Sequence, residues 1–422
     1  MRILLVTDAF PPVCGGSGWS TYELARQLRD RNHEVLVVQP RPGSDHGPHP
    51  SSYDGIRVIE FGAAAPSIPF VRNYFKNERL RVLLGDFLIS LISRERIQIV
   101  HGQHVLTSLP SIDAARRADV PVICTVRDYW PVCYWSDLIY TFHDDALCPA
   151  CTAGMMTQCI RPRAGAAWPL ALPMIPYMRG NLRRKRTGLA MADAVVAVSS
   201  TIATDLRARA PELAGTRIEV IPNPVNVSDL RARAAGFAPP LPGAYALYLG
   251  KLAPNKGTSN LIGVVERAGL DWPLVVVGDG PDRSAMTAQA ARSGRDVRFT
   301  GWVKQESATA WLAYASMLIF PSRGPESLSR VLLEASALGI PIAAMNTGGT
   351  ADIITTGETG LLSTTPDELA DDVRRLRNDE TLRHRLGAAA RIRAERLFDA
   401  ASVTERFEHI YAELISRTRP TR

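Results

Sequence analysis

Short runs of apolar residues alternate with amphipathic, helix-like stretches along the whole chain. In the first half these runs lie at residues 3–6, 35–38, 97–100, 120–126, 194–198 and 218–221. In the second half they lie at residues 245–249, 274–277, 297–300, 317–320 and 341–344. Strands that are apolar at nearly every position are typical of parallel sheets buried on both faces. The pattern therefore predicts an α/β protein with two doubly wound, Rossmann-like domains.

A proline-rich junction, which contains Pro222 and Pro224, separates the two series of strands. Placing the boundary there predicts an N-terminal domain over residues 1–224, with a cysteine-rich insertion at about 130–180. The C-terminal domain would then cover residues 225–398. A last helix, at about 400–416, has no strand after it. We therefore expect residues 399–422 to pack back on the N-terminal domain.

The composition is that of an ordinary globular protein and narrows the function little. The 422 residues are 22% charged and 46% hydrophobic. The N-terminus runs directly into a predicted strand, and no apolar run reaches the roughly 18 residues of a membrane span, so we expect a cytoplasmic location. The net charge of +7 would suit acidic ligands, anionic lipid or nucleic acid. Many arginines, however, lie on predicted solvated helix faces in residues 374–396, so we expect no nucleic-acid partner.

Four turns that follow predicted strands are rich in glycine or lysine, at residues 8–18, 250–257, 278–281 and 347–350. Ligands of open α/β sheets bind beyond the carboxyl ends of the strands, where such turns lie. We expect Gly15, Gly16 and Gly280 to bring bare backbone close to a ligand. Lys251 and Lys256 flank the start of a helix, where cations are unfavourable unless an anion lies between them. These turns predict a binding site for phosphate groups.

Two carboxylates, Glu326 and Glu334, lie eight residues apart at the passage from a strand into a helix. The first falls in a loop broken by Gly324 and Pro325, and the second falls in the helix. Because the neighbours of Glu334 are apolar, its carboxylate is predicted to be buried and needs partners, which ligand hydroxyls would supply. Together with the lysines and the glycine turns, these carboxylates predict a cleft for a nucleoside diphosphate sugar.

The motifs that carry a family resemblance occur in a fixed order along nearly the whole chain. They are Pro11-Pro12 with Gly15-Gly16, Ala192-Asp193 before Val198-Ser199, residues 221–225, Gly250-Lys251 with Lys256-Gly257, residues 278–281, the Glu326 to Glu334 spacing, and Gly348-Gly349. In this order they resemble the retaining glycosyltransferases of family 4. The resemblance implies a GT-B fold, in which two Rossmann-like domains face each other across a cleft. It also implies sugar transfer without a metal requirement and with retention at the anomeric carbon.

The resemblance also assigns roles to individual residues. Lys251, where the family often has arginine, and Lys256 would neutralise the diphosphate of the donor. Glu326 would hold hydroxyls of the donor sugar, and Glu334 would hold the ribose. The remaining donor contacts would come from Gly16 and from the backbone amides near Leu328 and Ser329. The N-terminal domain would be the acceptor side.

Arg127 departs from the family pattern, because many relatives have histidine at its position. Arginine donates hydrogen bonds but cannot act as a base, so Arg127 could hold sugar or phosphate oxygens and could not relay a proton. The alternative is an ion pair of Arg127 with Asp128 or a glutamate that holds the loop. For His101 and His104, two functions are open: ligand binding, or hydrogen bonding within the fold.

Four cysteines, Cys133, Cys148, Cys151 and Cys159, cluster in the predicted insertion with fourteen, two and seven residues between them. Such a set fits a tetrahedral zinc or an iron–sulfur cluster. Reduced thiols without a metal are the second interpretation, and disulfides, which a reducing cytoplasm disfavours, are the third. We expect a bound zinc to be structural and to take no part in the chemistry.

An apolar segment at residues 166–178 is followed by Arg179 and by the basic run 183–186. An apolar stretch beside a basic cluster would suit peripheral contact with the inner membrane surface, where lipid-borne acceptors lie. A loop that covers the core, followed by a solvated helix start, is equally consistent with the pattern.

The sequence thus predicts a retaining, metal-independent hexosyltransferase. It would move a sugar from a UDP- or GDP-type donor to a hydroxyl of a glycan or a lipid-linked acceptor. Two alternatives remain open: a GT-B-like nucleotide-sugar epimerase, and a nucleotide-sugar-binding protein without turnover. Product formation separates the three.

Overall fold

The computed structural model describes residues 1–42, 46–64, 66, 69–141 and 147–418, and these residues form two β-sheets with helices on both faces. The first sheet has the order β3-β4-β2-β1-β5-β6-β7-β8, and β3 is antiparallel to β4 while the other strands are parallel. Its strands are β1 (Arg2–Val6), β2 (Glu34–Pro42), β3 (Gly47–Tyr53), β4 (Ile56–Ala63), β5 (Ile99–Gly102), β6 (Val122–Val126), β7 (Ala194–Ala197) and β8 (Ile218–Val220).

The second sheet is parallel throughout and has the order β11-β10-β9-β12-β13-β14. Its strands are β9 (Ala246–Leu249), β10 (Leu274–Val277), β11 (Val297–Gly301), β12 (Met317–Phe320), β13 (Ile342–Met345) and β14 (Leu361–Ser363). The prediction of an α/β fold with two doubly wound sheets is confirmed.

The helices of the N-terminal half are α1 (Gly16–Asp30), α2 (Pro69–Tyr74), α3 (Leu80–Glu95), α4 (Val105–Arg117), α5 (Ala153–Ala164), α6 (Ile175–Leu189) and α7 (Ser200–Arg209). Those of the C-terminal half are α8 (Val227–Ala235), α9 (Thr258–Ala268), α10 (Arg283–Ser293), α11 (Gln305–Ala313), α12 (Arg330–Leu338), α13 (Thr350–Ile353), α14 (Pro366–Asn378), α15 (Glu380–Leu397) and α16 (Ala400–Thr418). A π-helical turn covers Phe75–Arg79, and 3₁₀ segments cover Gly165–Met174, Pro211–Leu213 and Pro254–Lys256. No helix in the described part of the chain is long and apolar enough to cross a membrane.

Each sheet changes its winding direction at one central strand. In the first sheet β1 lies between β2 and β5, and in the second β9 lies between β10 and β12. Helices leave in opposite directions on either side of such a strand, and a crevice opens beyond its carboxyl end. The turns that follow β1, β5, β9 and β12 therefore border the two crevices.

The antiparallel hairpin β3–β4 and the short edge strand β14 were not predicted from the pattern of apolar runs. In the hairpin, Asp54 and Gly55 form the two-residue connection, with φ of 49° and 72°. An Asp-Gly pair between two strand-like runs is a strong hairpin signal, because both residues tolerate a positive φ. Strand β3 was not predicted because its residues are mostly polar and exposed, whereas the predicted strands are apolar and buried.

The last helix, α16, packs on the first sheet. Val403, Phe407 and Tyr411 share one buried cluster with Ile3 and Leu5 of β1. The chain passes between the two domains at two places that lie next to each other. There Val225 and the residues on either side of Asp399 exchange backbone hydrogen bonds of 2.9 Å. The N-terminal half therefore depends on the far end of the chain for part of its core.

Candidate active site

An open cleft of about 760 Å³ lies between the carboxyl edges of the two sheets. Nine of the residues predicted to contact the donor line this cleft: Gly15, Gly16, Arg127, Lys251, Lys256, Glu326, Leu328, Ser329 and Glu334. Gly280 does not line it, although its neighbours Gly278 and Asp279 do. A Cβ on Gly280 would lie 2.2 Å from the Leu252 carbonyl oxygen, so this glycine lets two turns of the second sheet meet.

Lys256 and Glu326 form an ion pair across the second crevice, with Nζ and Oε1 2.6 Å apart. Ser322 also donates to Oε1 of Glu326, at 2.5 Å. The pair is possible because the turn after β9 passes close to the loop after β12. Gly257 lies where these two segments meet. Its φ is 66°, and a Cβ at this position would lie only 1.7 Å from the carbonyl oxygen of Pro321. The lysine is thereby held at the cleft in a fixed position.

Glu334, on α12, is buried, and its Oε1 accepts a hydrogen bond of 2.8 Å from Nε of Arg330. The expectation that ligand hydroxyls would satisfy this carboxylate was incomplete, since a neighbour one helical turn earlier supplies a cation. Arg330 also lines the cleft, and sequence reasoning missed it. The spacing of four residues on a helix was the available signal. A Cβ on Gly16 would lie 3.5 Å from Cβ of Arg330, so the two domains approach closely here.

Arg127 follows β6 and is buried at the floor of the cleft. Its guanidinium donates to two neutral amide oxygens, those of Asn223 and, at 2.5 Å, Gln103. Within the described ranges it has no carboxylate partner, so the alternative of an ion pair with Asp128 or a glutamate is wrong for these residues. Burial, with the nearby charge of Arg330, lowers the pKa of Arg127 to about 9. A buried cation without an acidic partner suits an anionic ligand.

The two histidines after β5 have different surroundings. His101 is fully buried beneath α16, where its ring nitrogens hydrogen-bond with the hydroxyls of Tyr411 (2.6 Å) and Thr125 (2.7 Å). Burial holds the pKa of His101 well below its usual value, with Arg127 contributing. Hydrogen bonding within the fold therefore accounts for His101.

His104 lines the cleft and lies between Asp8 (3.2 Å) and Asp128 (3.4 Å). Burial disfavours its charged form, but the two carboxylates outweigh burial and raise the pKa of His104. The histidine also stands at the start of α4, where the backbone nitrogen of Val105 lies 2.9 Å from its Nδ1. Asp8, His104 and Asp128 thus form a buried ionic group on the N-terminal wall of the cleft.

The loop that carries Glu326 is fixed by contacts from both domains. Tyr129 donates to the Glu326 carbonyl oxygen (3.5 Å), and Asn223 donates to that of Leu328 (3.4 Å). The turn at Gly348 supports the loop from the other side, since a Cβ at this position (φ 53°) would lie 2.1 Å from the Glu326 carbonyl oxygen. The carboxylate is therefore positioned before any ligand arrives.

All four cysteines of the insertion are free thiols. A hydrogen bond from Cys151 lowers the pKa of Cys133 to about 6, while burial raises the pKa values of Cys148 and Cys159. Among the described residues, no three His, Cys, Asp or Glu side chains are arranged to hold a metal ion. Residues 142–146 of the predicted insertion lie outside the described ones. Zinc binding stays a prediction.

The basic run after the apolar segment does not form one solvated face. Arg183 is exposed, Arg184 pairs with Glu78 at 2.6 Å, and Arg186 donates to the Pro131 carbonyl oxygen at 2.7 Å. Lys185 is buried. In the preceding 3₁₀ segment Leu170 is 84% exposed, so an apolar surface is present there.

Two doubly wound domains that face each other across a cleft are the architecture of the GT-B fold. Residues 14–229 match the family described as Glycosyltransferase Family 4, and residues 236–393 match that described as Glycosyl transferases group 1. The chain belongs to glycosyltransferase family 4 and is a glycosyltransferase.

Relatives align along most of the chain. The glycogen synthase of Mycobacterium tuberculosis (strain H37Rv) is 27% identical, over 97% of this chain and 94% of the relative. A GDP-mannose-dependent alpha-mannosyltransferase of M. tuberculosis (strain CDC 1551 / Oshkosh) is 27% identical, over 86% and 83%.

Two solved structures share the fold. The sucrose-phosphate synthase from Thermosynechococcus elongatus superposes with a TM-score of 0.70 at 18% identity, covering 99% of this chain and 100% of that chain. HepE of Anabaena in complex with UDP superposes with a TM-score of 0.66 at 18% identity, covering 98% and 100%.

Proposed function

We propose that this protein is a retaining hexosyltransferase that uses a UDP- or GDP-type sugar donor and needs no metal for catalysis. The acceptor would be a hydroxyl of a glycan or of a lipid-linked glycan, reached from the cytoplasmic side of the membrane. One relative is named as GDP-mannose-dependent, and HepE was solved with UDP, which supports this pair of donor classes.

The charge balance of the cleft carries the proposal. Among the described lining residues, four cations, Arg127, Lys251, Lys256 and Arg330, face two carboxylates, Glu326 and Glu334. Asp279 and His104 also border the cleft, but Asp279 pairs with Arg283 at 3.1 Å and His104 pairs with Asp8 and Asp128, so neither enters this balance. Two positive charges are left over, which matches the two charges of a nucleoside diphosphate ester.

The same charges would act on the leaving group. As the glycosidic bond breaks, negative charge grows on the departing diphosphate, so fixed cations in the cleft stabilise the transition state more than the ground state. Glu326 would bind sugar hydroxyls and Glu334 the ribose, while the amides at Leu328 and Ser329 and the backbone of Gly15 and Gly16 would contact phosphate or sugar.

Retention follows if the acceptor hydroxyl attacks from the face that the diphosphate leaves. The proton of that hydroxyl would pass to a departing phosphate oxygen, so no base from the protein is required. This route fits Arg127, which cannot take up the proton. Arg127 would instead hold phosphate or sugar oxygens.

The test is to incubate the protein with UDP-, GDP- and ADP-sugars and with glycan and lipid-linked acceptors. We expect one donor to release its nucleoside diphosphate in the presence of an acceptor, and NMR coupling constants should report an unchanged anomeric configuration. Inversion would contradict the retaining mechanism. An epimerised donor would favour the epimerase, and donor binding without turnover would favour a binding protein.

The cysteine cluster enters the proposal only as a structural zinc site. Its support is the proximity of the thiols, since Cys133 hydrogen-bonds with Cys151 and interacts electrostatically with Cys148 and Cys159. Elemental analysis of the purified protein should find about one zinc per chain, and replacing Cys148 by serine should remove it. A zinc-free, fully active protein would leave the cluster as reduced thiols.

A further inference from the structure

A long stretch of the N-terminal domain contains no acidic residue. Residues 147–192 include seven lysines and arginines and no Asp or Glu, although 42 of the 422 residues of the whole chain are acidic. The stretch forms α5, the 3₁₀ segment Gly165–Met174 and α6. None of its residues lines the described donor cleft. Its one-sided charge is therefore not explained by donor binding.

The inner side of this stretch packs on a small core of its own. The buried members of this core are Met156, Ile160, Ala171, Met178 and Leu182, and Trp168 packs against them. The core joins α5, the 3₁₀ segment and α6 to one another. Their outer side is thereby held as a defined surface.

The outer side of the 3₁₀ segment is apolar. Leu170 is 84% exposed, and Ala166, Ala167, Pro169 and Pro173 are exposed close to it in the sequence. Covering these side chains would remove apolar surface from water, which is favourable. A loop that served only to cover the core would turn such side chains inward.

Three exposed arginines flank this apolar surface: Arg161, Arg179 and Arg183. The Arg161 guanidinium lies over the ring of Trp168, 4.4 Å from its centroid. Arg179 and Arg183 lie about one turn apart on α6 and so point to the same side of that helix. None of the three forms an ion pair with a described residue.

Acidic side chains that reach this stretch from other segments are already engaged. Asp137 pairs with Arg163, and Glu78 pairs with Arg184, both at 2.6 Å. In the part of the chain that the structure describes, the charges of the three flanking arginines therefore stay uncompensated.

The topology places the apolar surface on the cleft side of the domain. Helix α6 leads into β7, which is parallel to β6, so the start of α6 points toward the carboxyl edge of the sheet. The fifteen residues of α6 span about 22 Å, whereas the four residues of β7 span about 13 Å. The start of α6 and the 3₁₀ segment before it thus project beyond that edge.

We propose that this surface, formed by the apolar residues around Leu170 and by Arg161, Arg179 and Arg183, docks on an anionic phospholipid bilayer. Leu170 inserts among the lipid chains, and the three arginines contact the phosphates of the headgroups. The docking rests on the proposed function only in that it would bring the acceptor side of the cleft to a lipid-borne acceptor.

A bilayer satisfies both parts of the surface at once. Its hydrocarbon region covers exposed apolar side chains, and anionic headgroups attract arginines beside them. Arginine can extend its charged end to the headgroups while its stem stays on apolar surface. Trp168, which lies between the apolar surface and Arg161, is of the residue type that is enriched at this boundary.

The experiment measures sedimentation of the full chain with vesicles of phosphatidylcholine, with and without phosphatidylglycerol. We compare the unaltered protein with Leu170→Asp and with the double variant Arg179→Gln, Arg183→Gln. Two controls change exposed residues of the C-terminal domain in the same way, Ile392→Asp for the leucine and Arg292→Gln for the arginines. UDP binding, measured by calorimetry on the same samples, reports whether each variant is folded.

We expect the unaltered protein to bind vesicles only when phosphatidylglycerol is present. Leu170→Asp and the double arginine variant should each lower the partition coefficient roughly tenfold or more, because each removes one of the two attractions. Leu170→Phe, which keeps an apolar side chain, should retain binding. The two controls should change the coefficient less than twofold.

Three results would overturn the proposal: no binding of the unaltered protein to anionic vesicles, equal binding to neutral vesicles, or losses in the controls as large as in the variants. Dependence on the arginines without dependence on Leu170 would also overturn docking on a bilayer and would favour an acidic protein partner. If the unaltered protein fails to bind UDP, the proposed function is contradicted while the vesicle result stays readable.

Discussion

Glu326 and Glu334 are each held by one cation, at 2.6 Å from Lys256 and 2.8 Å from Arg330. Both carboxylates are mostly buried, and a buried charge is tolerated only with a partner. Each pair therefore keeps two charged groups fixed at the cleft. At the scale of single residues, the site consists of charges whose positions are set before substrate binds.

Replacing Lys256 by alanine removes one of the cations that face the diphosphate. We expect kcat/KM to fall on the order of 10²–10³, by analogy with the loss of one oxyanion-stabilising donor. The matched control is Arg292→Ala, which removes an exposed charge on α10. Steady-state kinetics with the identified donor provide the measurement, and a variant as active as the control would contradict the assignment of Lys256.

Replacing Glu334 by glutamine should weaken nucleoside diphosphate binding roughly tenfold, a loss of about 1.4 kcal/mol. The reason is that the carboxylate both orients Arg330 and is the proposed partner of the ribose hydroxyls. Calorimetric titration with UDP and GDP measures the change, and Glu266→Gln on the exposed side of α9 is the control. If both Lys256→Ala and Glu334→Gln bind nucleotide as the unaltered protein does, the cleft assignment fails.

Lys185 should make stability depend on pH. Burial lowers its pKa from 10.5 to about 8, with Asp128, Cys133, Glu78 and Asp8 opposing the change. Lys76, Arg81 and Arg184 lie around the same narrow cavity of the N-terminal domain that Lys185 lines. Between these values the unfolded chain binds more protons than the folded one, so the free energy of unfolding contributed by Lys185 rises with pH. The loss of folding stability caused by burying the charged Lys185 is fully present below about pH 8.

We therefore expect Lys185→Met to be more stable than the unaltered protein at pH 7, by roughly 3 kcal/mol at most, with the difference vanishing near pH 10.5. Urea unfolding of both proteins at pH 7, 9 and 10 measures this. A pH-independent difference would show that the lysine titrates normally in the folded protein.

At the scale of elements, the turns after the central strands were predictable because of their composition, whereas their mutual contacts were not. Glycine and lysine after β9 and a glutamate after β12 are visible in the sequence. That β9 and β12 are neighbours depends on the strand order, which links residues about seventy positions apart. Periodicity reports which face of an element is buried and not which element covers it.

The helix α16 is an element whose role can be tested directly. Phe407 is 2% exposed and packs beside His101, with ring centroids 5.2 Å apart. Phe407→Ala should destabilise the N-terminal domain by about 3–5 kcal/mol, because it leaves a cavity in a closed core. Ile392→Ala, at an exposed position of α15, should cost no more than about 0.5 kcal/mol. Thermal unfolding measures both, and similar shifts would mean that α16 adds little to the core.

At the scale of the whole molecule, the cleft is formed by parts of both domains. Gly16 and Arg127 reach it from the first sheet, and Lys256 and Glu326 reach it from the second. The chain crosses between the domains at Val225 and again at Asp399, so the two halves are joined by a paired connection. The excess positive charge of the cleft is a property of this assembly, since neither domain alone contains all four cations.

If these cations replace a metal, sugar transfer should not depend on one. We expect the rate with EDTA to lie within twofold of the rates with added Mg²⁺ or Mn²⁺, because arginine and lysine already stabilise the departing diphosphate. Initial rates of nucleoside diphosphate release under the three conditions measure this. A large stimulation by Mn²⁺ would contradict a metal-independent mechanism.

The sequence by itself determined the fold class, the turns that form the cleft and nine of the residues that line it. These features are local: buried parallel strands are apolar at nearly every position, and the glycine-rich and charged turns that follow them are visible in the composition. Only the tertiary structure decided that Arg330 pairs with Glu334 and that Arg127 lacks an acidic partner among the described residues. It also decided that Lys185 is buried although its neighbours in the sequence are basic. Burial and pairing depend on which distant segments close over a residue, and a single sequence records that only through long-range contacts.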